Sequence, residues 1–230
     1  MQCCTNSWTI IKRSWSTRLC NDVSVMAGQG TVMVKLADQA ADLDIVLAPV
    51  CGRGIPSGLC LSAHKLRPCI AIFACEPTSA LDRMDGVKLN RIDPMPSPNT
   101  LANGLRTSLR ELPLTIVRRH VTGFFVVGEE EIVQAIQFAH EQFKLVIESS
   151  SAVALALLLR QGPQLVSKRV GAVFTGGYVG GAALATSGRN RNYAAIGCLS
   201  SNSKYNTAGP ERLRCYHANE RLYAPEYQRT

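Results

Sequence analysis

The chain has 230 residues and a mass of 24.9 kDa, with 46% hydrophobic and 18% charged residues and a mean hydropathy of +0.04. Those values exclude a wholly disordered chain and suit one or two globular domains with a real core. The longest apolar run, Ser151 to Leu159, stops at Arg160 and falls short of the roughly 20 residues that cross a bilayer, so a soluble protein without membrane contact is expected.

The formal net charge of +8 raises the question of nucleic acid until the charge is located. Residues 1–21 carry Lys12, Arg13 and Arg18 and no acid, giving +3, and residues 189–230 carry seven bases against three acids, giving +4. The stretch between them holds the remaining fifteen bases and fourteen acids, so the middle is near neutral and no nucleic-acid partner is expected. The nine cysteines, at 3, 4, 20, 51, 60, 69, 75, 198 and 215, form no C-x-x-C pair and have no histidine at metal-ligand spacing. They read as reduced core residues, which points to a reducing, cytoplasmic setting. The acid-free, Ser- and Arg-containing residues 1–21 loosely suit a mitochondrial leader, although a poorly ordered leader is the commoner reading. Residues 189–230, rich in Ser, Asn, Arg and Tyr, read as a mobile basic tail, which leaves 22–188 as the folded domain.

Within that domain the pattern alternates. Thr31 to Ala41 reads as a helix and DIVLAPV, Asp44 to Val50, as a buried strand. The glycine turn CGRG, Cys51 to Gly54, leads into a helix over Ser57 to Leu66, and CIAIFAC, Cys69 to Cys75, reads as the next strand. After a Pro-rich passage, Asp93 to Thr100, the strand GFFVVG, Gly123 to Gly128, precedes a helix whose first turn holds three glutamates, where the helix dipole favours them. Ile132, Ile136, Ala139 and Phe143 share one face of that helix. An almost wholly apolar helix, Ser149 to Leu159, should be buried, and VGAVF, Val170 to Phe174, runs into TGGYVGG. Short apolar strands alternating with helices predict an α/β three-layer sandwich with a mostly parallel sheet.

Three places carry chemistry. A glycine turn opening a helix lets a phosphate approach backbone N–H groups at the positive end of the dipole, although most such turns are only tight turns. In CEPTSALD, the Glu76 and Asp82 carboxylates with the Ala80 carbonyl between them offer oxygen ligands to Mg2+ or Ca2+, against the commoner reading of a solvated acidic turn. Thr175, at the end of the last strand and followed by glycines, presents a hydroxyl to which a flat heterocycle could bond, or ends an ordinary turn. None of His64, His120, His140 and His217 has a nucleophile at triad spacing, and no G-x-S-x-G is present.

The order of the pieces is more specific than any one of them. AGQGT (Ala27–Thr31), APVCGRGIPSG (Ala48–Gly58), CEPTSALD, NTLANGLRTS (Asn99–Ser108), VVGEEEI (Val126–Ile132), ESSSA (Glu148–Ala152) and VFTGG (Val173–Gly177) follow one another. Together they resemble the C-terminal half of the serine/threonine dehydratases, fold type II pyridoxal-phosphate enzymes that include threonine ammonia-lyases and serine racemase. The resemblance runs from residue 22 to about 188. It implies pyridoxal 5′-phosphate as cofactor, with Cys51, Gly52, Arg53, Gly54 and Ile55 as the phosphate loop, Glu148 flanking the ring and the Thr175 hydroxyl at the pyridine nitrogen. It implies a divalent cation on Glu76, Ala80 and Asp82. The activity implied is deamination of L-serine or L-threonine to a 2-oxo acid and ammonia, favoured because a neutral hydroxyl leaves the ring a weaker electron sink than an aspartate would.

The chain departs from the family pattern at several positions. Cys51 and Arg53 replace two glycines of the family's tetraglycine loop, Tyr178 stands where asparagine is usual, and Asn103 where aspartate is usual. A side chain in that loop would strain a positive-φ position or block the phosphate, whereas Arg53 would pair with it as a charged donor; the sequence leaves both open. None of the lysines at 12, 35, 65, 88, 144, 168 and 204 lies in the family's Ser-Phe-Lys setting, so no catalytic residue is assigned and a truncated chain, inactive alone, is expected. The partners expected are a small amino-acid substrate and a second copy or a full-length relative; the alternative is a non-catalytic pseudoenzyme or partner subunit.

Overall fold

The computed structural model of the protein describes residues 22–50, 54–80, 82–90, 92, 98–106 and 110–177. The leader at 1–21 and the tail at 189–230 therefore lie outside the described residues. Among the described residues no helix is long and apolar enough to cross a membrane.

Four parallel strands, β1 (Ile45–Pro49), β2 (Ala71–Pro77), β3 (Gly123–Val127) and β4 (Val170–Ala172), form a sheet in the order β3-β2-β1-β4. All five residues of β1 are buried, as a central strand covered on both faces requires. Its alternate residues divide the core. Ile45 and Leu47 join Cys75, Ile132, Ala135 and the apolar residues 152–157 on one side, whereas Val46 and Ala48 join Met33, Leu59, Cys60 and Ile72 on the other. The expected three-layer α/β sandwich is thus present. Helices α1 (Val23–Gln39), α2 (Ile55–Leu66) and α4 (Glu111–His120) pack on one face, and α5 (Glu129–Phe138) and α6 (Ser149–Arg160) on the other. The remaining helix, α3 (Asp82–Leu89), lies against α4.

Several boundaries differ from the sequence reading, each for a local reason. Helix α1 begins at Val23, eight residues before the predicted Thr31, because Asp22 caps it by accepting the Ser24 N–H at 2.8 Å. Two glycines inside it, Gly28 and Gly30, hide the helical period; Gly30 is retained by packing, since a Cβ there would meet Gly58 O at 3.0 Å. Strand β2 starts at Ala71 and runs on through Glu76 and Pro77, which pair with Val126 and Val127 of β3. Glu76 and Pro77 are therefore strand residues and do not follow the strand, as the sequence reading had them. Helices α3 and α4 were not anticipated. In α4, Pro113 sits at the third helical position, where its missing N–H costs nothing. Helix α5 starts at Glu129 as expected, and Glu131 folds back to accept the Gly128 N–H at 2.6 Å. A single π-helical turn, Ala139–Phe143, ends the α5 run.

Candidate functional site

Strands β1 and β4 are parallel neighbours, with Leu47 opposite Ala172, so the chain leaves both at the same edge of the sheet. One exit leads into the turn before α2 and the other into Thr175–Gly177. Of the turn, Cys51, Gly52 and Arg53 lie outside the described residues, as does Tyr178. Gly54 has φ +88°, the left-handed region that only glycine adopts without cost, and forms the N-cap of α2 without a side-chain cap. The first-turn N–H groups of α2 thus point out of the helix, and the Pro56 at the second helical position has none to offer. One residue further, the Ser57 hydroxyl is fully buried and has no hydrogen-bond partner among the described residues.

The other exit is organised by α6. Its N-cap is Glu148, whose N–H donates to Gly176 O at 3.0 Å. Ser151, wholly buried, accepts the N–H groups of Thr175 and Gly176, both at 2.9 Å, and lies 3.0 Å from Gly176 O and 3.1 Å from Thr175 Oγ1. The two amides occupy both lone pairs of that oxygen, so the Ser151 proton goes to Gly176 O or Thr175 Oγ1 and the Thr175 proton must point elsewhere. Its partner within the chain is Glu148 Oε1 at 3.4 Å, a long and weak contact that a better acceptor would displace. A Cβ at Gly176 would come within 3.2 Å of the Glu148 carboxylate, which would have to shift by a few tenths of an ångström.

The same serine run ties in the NTLANGL segment. Ser149 Oγ donates to Leu101 O, and Ser150 Oγ accepts the Gly104 N–H at 2.8 Å. Glu129 holds the neighbouring turn, accepting from Ser79 Oγ at 2.8 Å and from Leu101 N–H at 2.9 Å. The sequence reading named Glu148 and Thr175 but missed Ser151 and Glu129; the signal for the first was a run of three serines opening a buried helix.

At the proposed cation position, Glu76 is fully buried and its Oε2 accepts the Met84 N–H at 3.1 Å, which draws the carboxylate to the first turn of α3. Ala80 is buried, with its N–H on Pro77 O, and Asp82 opens α3 with a side chain outside the described residues. Among the described residues, no three or more His, Cys, Asp and Glu side chains converge as metal ligands. His140 is exposed, in keeping with its lack of any assigned role.

Residues 6–176 match the family model of the pyridoxal-phosphate dependent enzymes. The chain is 38% identical over 159 residues to the β-hydroxyaspartate dehydratase of Paracoccus denitrificans, a match that covers 69% of this chain and 50% of that protein. It is 37% identical over 163 residues to the serine racemase of Dictyostelium discoideum, again over 69% of this chain and 50% of the relative. Among solved structures, maize serine racemase superposes with a TM-score of 0.66 at 33% identity, over 71% of this chain and 53% of that one. The chain thus spans about half the length of the curated relatives it matches. A parallel sheet that delivers a glycine-capped helix and a serine-anchored threonine to one edge, and a family match over most of the residues that build it, lead to one conclusion: the chain belongs to the pyridoxal-phosphate dependent enzymes of fold type II.

Proposed function

We propose that this chain forms the cofactor-binding half of a serine/threonine dehydratase-like enzyme, acting on small β-hydroxy amino acids such as serine, threonine or hydroxyaspartate. The observation that carries this reading is the Thr175 hydroxyl. It lies at the same sheet edge as the uncapped α2 N-terminus, with its proton left over by Ser151 and only a 3.4 Å contact to Glu148. Pyridoxal phosphate, when bound, supplies an electron sink for bond breaking at the substrate α-carbon. The first turn of α2 would take its phosphate, together with the Cys51–Ile55 bend, and Thr175 would donate to its ring nitrogen. A threonine hydroxyl is too weak an acid to give up its proton, so it orients the ring without fixing a charge on it. Glu148, the N-cap of α6, would flank the ring.

Glu76 near the end of β2, with the Ala80 carbonyl and Asp82 beyond that end, would hold Mg2+ or Ca2+, all three being oxygen donors. The family likeness also supports a dimer, of two copies or with a full-length relative. With no lysine in the family's setting, covalent attachment of the cofactor and proton removal at the α-carbon fall to residues other than those of this chain. The test is a titration of the 230-residue chain with pyridoxal phosphate, followed by absorbance. Saturable binding that Thr175→Val weakens and Thr175→Ser keeps is expected; binding indifferent to Thr175 would reject the assignment. Release of 2-oxo acid from serine or threonine by the chain alone would overturn the expectation that it is inactive alone.

A further inference from the structure

Helix α2 offers fewer backbone donors to an anion than its position suggests. A helix leaves its first four N–H groups without intrahelical partners, and here these are the groups of Gly54, Ile55, residue 56 and Ser57. Residue 56 is proline, so that donor is missing. The following N–H, of Gly58, is already spent on Gly54 O at 2.8 Å. An anion on this turn is therefore one donor short.

The next side chain supplies a candidate for the gap. Ser57 is 0% exposed, and its hydroxyl is the one buried side-chain polar group among the described residues that lacks a partner. A serine inside a helix ordinarily donates back to the carbonyl three or four residues earlier. Here the carbonyl three residues back, Gly54 O, is engaged by the Gly58 amide and the hydroxyl leaves it alone. The Cα–Cβ bond of a helical residue tilts toward the N-terminus, which sets the Ser57 side chain on the first-turn side of its own Cα, the side on which Pro56 lacks a donor. A buried hydroxyl without an acceptor is costly and rarely retained without a reason.

We propose that the Ser57 hydroxyl is a donor to the phosphate monoester of the cofactor, taking the place of the backbone N–H that Pro56 removes. The assignment rests on the reading that this phosphate sits on the first turn of α2. A hydroxyl donating to a phosphate oxygen out of bulk water forms a charge-assisted bond, stronger than a neutral one. Its loss should weaken binding roughly ten- to a hundredfold.

The experiment measures dissociation constants of the full 230-residue chain for pyridoxal 5′-phosphate, for pyridoxal and for inorganic phosphate by calorimetry, in the wild type, in Ser57→Ala and in the nearly isosteric Ser57→Cys. Thermal melting of each ligand-free protein is recorded alongside. Both variants should lose at least tenfold for the two phosphate-bearing ligands, bind pyridoxal as the wild type does, and melt no lower than the wild type when ligand-free. Unchanged phosphate affinity in both variants overturns the role of Ser57 and leaves the phosphate reading standing. A loss equal for pyridoxal and its phosphate, or a lower ligand-free melting temperature with no loss of phosphate affinity, assigns Ser57 to packing and also overturns it. A wild type that prefers pyridoxal phosphate no more than pyridoxal overturns the phosphate reading itself, and the assignment with it.

Discussion

The crossing of α1 and α2 predicts the consequence of a single methyl group. Helices α1 and α2 cross at Gly58, where a Cβ would run into Met26 O and lie 2.5 Å from Gly30 N and 3.0 Å from Gln29 C. All three are backbone atoms of α1, so no side-chain rotation relieves the clash, and α1 must move about 1 Å to restore ordinary contact. Overpacking of this kind costs about 1–3 kcal/mol, and the rigid backbone places Gly58→Ala at the upper end. Alanine regains about 1 kcal/mol of helix propensity over glycine, which leaves a net loss of about 2 kcal/mol. With a urea slope of roughly 2 kcal/mol per molar, the unfolding midpoint should fall by about 1 M. The control is Gly28→Ala on the exposed face of α1, where nothing lies within 4 Å of the added Cβ; there the propensity gain stands alone and the midpoint should rise. If Gly58→Ala raised the midpoint as Gly28→Ala does, the helices would be further apart than described and the crossing argument would fail.

Ser151→Ala leaves the amides of Thr175 and Gly176 without their shared acceptor and should cost about 1–3 kcal/mol, with faster amide exchange at both residues; exchange unchanged from wild type would contradict the arrangement. Among the described cysteines, burial pushes the Cys60 thiol up to about 12 and raises Cys75 further, so alkylation of the native protein followed by peptide mapping should label the exposed Cys69 and spare those two. The His120 imidazole is held below its ordinary value by desolvation, then by the ring of His64 at 4.9 Å and by Arg119. The unfolded chain therefore binds the extra proton first, and stability should decline as pH drops below about 6.5. His120→Gln should flatten that slope in melting experiments run between about pH 7 and pH 5, and an unaltered slope would count against the coupling.

The sequence alone was enough for the α/β class, for all four strands within two residues at each end and for the family, because each buried strand is a short apolar run and the motifs keep their order along the chain. It also named Glu148 and Thr175. It was not enough for α3 and α4, which begin after polar and proline-containing segments whose local propensity gives no clear start, nor for the first turns of α1, where glycines kept for contact with α2 mask the helical period. Nor did it reveal that Glu76 is a buried strand residue bonded to the start of α3, or that Ser151 governs where the Thr175 proton points. The second of these depends on two hydroxyls 24 residues apart in the chain being brought within 3.1 Å of each other. Periodicity reports only which face of an element is apolar, whereas the partners of a hydroxyl or carboxylate are set by which strands neighbour each other, and that is decided when the sheet closes its register.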